Sequence, residues 1–102
     1  MTFFSKQSTE WAVEEWKTFA ELLQRDHLEQ YEYWQDLSMR ESFENGEREL
    51  TPEMIDIVKK ADEIVRQKLV LVLKKYNRFD EYRDIAQHIP KKYWWWHLEE
   101  EV

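Results

Sequence analysis

Residues 50–76, LTPEMIDIVKKADEIVRQKLVLVLKKY, constrain the fold more than any other stretch of this chain. Thr51 offers a side-chain oxygen to the free amides of a first helical turn, and Pro52 fits the first helical position. Glu53 and Asp56 lie where the positive end of a helix favours acid. Leu50 and Ile55 are spaced for a hydrophobic staple. Beyond this start Met54, Val58, Ala61, Val65, Leu69, Val72 and Tyr76 recur every three or four residues, the period of a helix that buries one side. Ile57, Ile64 and Leu71 widen that stripe on one flank, Ile55 and Leu73 on the other. The apolar arc reaches roughly 200°, more than one neighbouring helix covers. A helix over 52–76, with Lys74 and Lys75 at its negative end, is therefore the centre of the predicted fold.

A second long pattern precedes it. Ser8 or Thr9 can cap a helix whose stripe runs Val13, Trp16, Ala20, Leu23, His27, Tyr31 and Trp34, flanked by Ala12, Phe19 and Leu37. Glu10, Glu14, Glu21, Glu29, Glu32 and Asp36 form the opposite, solvated face. Past Leu37 the register fails, because Glu41 would fall on the apolar stripe. Ser38 and Glu41 also have capping-box spacing. The spacing predicts one helix over 9–37, a break near Ser38 and a short helix to Glu44, ended by Asn45-Gly46. A third helix, Asp80 to about Ile89, places Phe79, Tyr82, Ala86 and Ile89 on one face before Pro90 stops it. Residues 91–101 are predicted to add a last short helix.

One Gly and two Pro leave few sites for tight hairpin turns. The expected fold class is therefore all-α: a long antiparallel helical hairpin, 9–37 and 52–76, with two or three short helices, in one domain over 1–102. Arms of this length span roughly 43 and 37 Å. Two such rods leave side surface uncovered, which favours dimerisation into a bundle.

Charge narrows the partners. The net charge is −7, and it resides in residues 1–50, with 12 acidic against 5 basic residues. Residues 66–92 carry 8 basic against 3 acidic, so acidic helix and basic segment can attract each other within or between chains. An acidic chain repels polyanions at a distance, which disfavours nucleic acid despite that local excess. The absence of Cys excludes disulfides, thiolate metal sites and a cysteine nucleophile. The first ten residues lack a signal-peptide core, and the longest apolar run, LVLVL at 69–73, is far shorter than the ~20 residues of a membrane span. A cytoplasmic protein without membrane association is expected.

Few side chains are arranged for chemistry. His27 falls on the apolar stripe of the first helix without a second His or a carboxylate spaced to share a metal. It is expected as a core histidine, and neither a metal nor a cofactor is expected. Lys68 interrupts the apolar arc of 52–76, and its stem is expected along the core with its ammonium reaching an acidic partner on the first helix. Arg83 and His88 form an R-x4-H pattern with a polar residue after the arginine. That pattern resembles the catalytic motif of the HEPN-family helical ribonucleases. The resemblance covers six residues, and Pro90 stands where the family usually has an aromatic residue. It implies a metal-independent, dimeric ribonuclease in which Arg83 of one protomer steadies phosphate charge and His88 of the other transfers a proton.

The aromatic share is 16%, with six Trp. Three Trp are consecutive in Tyr93-Trp94-Trp95-Trp96. On a helix at most two of those four rings can turn inward, and on a strand they alternate faces. Some of Tyr93, Trp94, Trp95 and Trp96 are therefore expected to stay uncovered and to form an interaction surface. The function expected is a non-enzymatic interaction or adaptor module, acting as a homodimer or on a protein partner through that aromatic surface, with the HEPN-like ribonuclease as the alternative.

Overall fold

The computed structural model describes residues 8–28 and 32–101. Among them every regular element is helical: α1 (Thr9–Gln24), α2 (Tyr33–Glu44), α3 (Pro52–Lys75), α4 (Phe79–Ala86), and two short 3-10 turns, Trp94–Trp96 and Leu98–Glu101. The all-α class and the packing of a helical hairpin with short helices hold. No described helix is long and apolar enough to cross a membrane.

The starts form as the side chains dictate. Ser8 Oγ accepts from the Trp11 amide at 3.0 Å, and Thr51 Oγ1 accepts from the Met54 amide at 3.2 Å. The ends of α1, α2 and α3 share one device, in which the residue beyond the cap turns left-handed and two amides reach back to the last carbonyls. Gly46 (φ 71°) closes α2 and Asn77 (φ 61°) closes α3, where the sequence places them. Asp26 (φ 52°) closes α1, with its own amide on the Leu23 carbonyl and the His27 amide on the Leu22 carbonyl.

That third closure corrects the predicted boundaries. The arm expected over 9–37 is two helices, and α2 runs through Ser38 without a break. Periodicity alone carried the stripe across the turn, but His27 is exposed while Leu28 and Tyr33 are buried. The expected stripe position Tyr31 and the acidic position Glu29 lie outside the described residues. Asp is one of the few residues besides Gly that enter the left-handed region at modest cost.

The extra reversal changes the sense in which helices meet. Trp16 meets Asp62, while Asp26 meets Lys68 and Tyr76, so contacts advance in the same direction along both helices and α1 runs parallel to α3. Arg40 meets Asp62 while Tyr33 lies beside Arg78, so the antiparallel arm facing α3 is α2. Trp16, Phe19 and Leu23 of α1, Leu37 and Met39 of α2, Val65, Leu69 and Leu73 of α3, and Tyr82 of α4 share one core.

Candidate functional site

The tryptophan tail is inside the fold. A 3-10 turn holds three residues per turn, so Trp94, Trp95 and Trp96 point about 120° apart. Each direction ends on the chain's own surface. Trp96 stacks on Tyr82 at 5.5 Å. Trp95 donates its indole N–H to the Leu37 carbonyl at 2.8 Å and lies beneath the Arg40 guanidinium at 4.7 Å. Trp94 receives the Arg66 guanidinium at 4.1 Å. Trp95 and Trp96 are 0% and 1% exposed, Tyr93 is buried and Trp94 half-buried. The exposure expected of these rings is thus corrected for Tyr93, Trp95 and Trp96, while Trp94 stays half-buried: their differing directions bring each against a separate part of the fold.

At the heart of that arrangement is a polar node. Arg40, 6% exposed, forks onto Asp62 through Nε at 3.0 Å and Nη2 at 2.9 Å. Asp62 also accepts the Trp16 indole N–H at 2.9 Å. A buried charge needs its counter-charge and its hydrogen bonds, and here both are present. The node joins α1, α2, α3 and, through Arg40 over Trp95, the tail. Sequence reasoning missed it, since an Arg and an Asp 22 positions apart carry no periodic signal.

Among the described residues two buried side-chain polar atoms find no hydrogen-bond partner, the Tyr33 hydroxyl and the Trp96 indole N–H. Burial pushes the Tyr33 phenol well above its ordinary pKa. The Glu81 carboxylate adds to that effect, although no acceptor reaches the hydroxyl in hydrogen-bond geometry.

The residues singled out for chemistry are scattered. Lys68 is half-buried, with its ammonium 3.7 Å from Asp26, just beyond α1. Arg83 is exposed on α4, 3.6 Å from Asp80. His88 is exposed past the end of that helix, and the ion pair of Arg83 is with Asp80. Arg83 also lines a shallow cavity of about 170 Å³ with Gln87, Lys91, Trp96, His97 and Glu99. Among the described residues no group of three or more His, Asp or Glu is placed to hold a metal ion.

Among the described residues, apolar surface stays open at Ile55 near the start of α3 and along the flank of α3 beside α1. Leu71 is 64% exposed, and Ile57 and Ile64 on the same stripe are half-buried. A groove of about 360 Å³ runs along this flank, with Ala20 and Ala61 at its floor and Ile57, Ile64, Lys17 and Glu21 along its sides. Comparison with protein-family models, curated proteins and solved structures found no match to this chain.

Proposed function

We propose that this chain is a small helical protein-interaction module without chemistry of its own, working in the cytoplasm as a homodimer or on a protein partner. The observation that carries the reading is the open flank of α3, where Leu71 is 64% exposed beside a groove floored by two alanines. Apolar surface left outside a well-filled core marks a contact site more often than a catalytic one. Nucleic acid is not the expected partner, given the net charge of −7.

Molar mass in solution, measured by sedimentation equilibrium over a wide concentration range, tests this. A mass that rises toward twice the monomer supports the module, and a mass that stays monomeric removes self-association. The ribonuclease reading makes a separate demand. Purified protein would cut RNA without added metal, and Arg83→Ala or His88→Ala would each abolish the cleavage.

A further inference from the structure

The geometry points to the occupant of the open flank: a second copy of this chain, with α3 against α3 in antiparallel sense and Leu71 of each copy seated in the alanine-floored groove of the other. This placement rests on the module reading and adds the surface, the partner and the orientation.

Three observations carry it. First, the flank is self-complementary. Leu71 is a protruding apolar side chain, 64% exposed, and the groove has room for one. The knob lies roughly 15 Å along α3 from the middle of the groove at 1.5 Å per residue. A two-fold axis near Ile64 sets Leu71 of each copy opposite Ile57 of the other, so both grooves fill at once, as an isologous interface requires. Second, the charge on this face has a polarity. Because α1 and α3 run parallel, both acidic starts, with Glu10, Glu14, Glu53 and Asp56, lie at one end, and Arg25, Lys68, Lys74 and Lys75 lie at the other. Antiparallel pairing brings acidic end to basic end, and a parallel pairing would set like against like. Third, the lysines nearest the axis are already paired, Lys60 with Asp56 at 3.4 Å and Lys68 with Asp26 at 3.7 Å, which softens their repulsion across it.

The chain has no Cys, so single-cysteine variants test the geometry directly. Under mild oxidation Ile64→Cys is expected to give a covalent dimer in high yield. Leu71→Cys is expected to stay largely uncrosslinked, because its two copies lie roughly 20 Å apart while a disulfide needs Cα atoms within about 7 Å. The Ile57→Cys/Leu71→Cys double variant is expected to crosslink again. In parallel, Leu71→Glu should weaken the dimer at least tenfold with helicity unchanged. Reversing Lys74 and Lys75 to Glu should weaken it, and adding Glu53→Lys and Asp56→Lys should restore it. Efficient crosslinking through Leu71→Cys alone, or a dimer indifferent to Leu71→Glu, overturns this placement while leaving the module reading intact. A wild-type chain that never dimerises overturns this placement and leaves the module reading with a protein partner alone.

Discussion

The tail and the outer flank of α3 began with the same problem and met different ends. Tyr93-Trp94-Trp95-Trp96 concentrates more aromatic surface than any other stretch, yet three of its rings are buried and Trp94 is half-buried, against α2, α3 and α4. Ile57, Ile64 and Leu71 are modest aliphatic residues at regular spacing, and Leu71 remains 64% exposed. Apolar residues with a common direction need a neighbour on that side, whereas rings at 120° can each find a different one. Density of hydrophobic residues is therefore a poorer guide to a contact surface than their shared direction.

The sharpest way to break this contrast is truncation on each side of it. Trp95→Ala should cost about 3–5 kcal/mol by loss of a buried ring, a large share of the ~5–15 kcal/mol that holds a domain together. Leu71→Ala should stay within about 0.5 kcal/mol. Equal losses in denaturant titrations would erase the distinction. Next in size, Asp62→Ala should cost about 3 kcal/mol because it leaves buried Arg40 only the exposed Glu44 carboxylate at 3.4 Å and takes the acceptor from the Trp16 indole, and the Arg40→Met/Asp62→Leu pair should recover the part due to the charge. A single Asp62 variant as stable as the parent would show that the node contributes nothing.

Smaller effects refine the account of the buried polar groups. Tyr33→Phe removes a hydroxyl that has no partner, so stability should hold or rise by up to about 1 kcal/mol. A loss of that size would show that the hydroxyl is satisfied in solution. Smallest is Glu41, whose carboxyl is raised by burial and then by the charge of Glu47. The folded chain holds that proton more tightly than the unfolded one. Its stabilisation is therefore fully present below the ordinary glutamate pKa near ~4.3 and is lost as pH rises through the higher folded value. Glu41→Gln should stabilise the protein slightly at neutral pH, solvent screening of this partly exposed group keeping the gain small, with no gain in melts below about pH 4.

Much of the fold was legible because it is local. Ser8, Thr51, Pro52, Gly46 and Asn77 act on backbone within a turn of themselves, and each acts where the sequence places it. The wide arc of α3 was legible too, as was the flank at Ile57, Ile64 and Leu71 that it left over. Asp26 was not, because its left-handed turn competes with an apolar spacing that continues past it. Arg40 and Asp62 were hidden for the opposite reason: they are polar, and only tertiary placement tells a buried pair from two surface charges. The tail was misread because a helix or a strand was assumed, and a 3-10 turn distributes side chains differently from both.

Tyr82 donates its hydroxyl to the Trp95 carbonyl and accepts the Leu98 amide, and Trp95 in turn reaches the Leu37 carbonyl, 58 residues away. During synthesis α1, α2 and α3 emerge first, with the space beside Arg40 unfilled. The core closes only when Trp95 and Leu98 reach it, so the tail serves as the keystone set last.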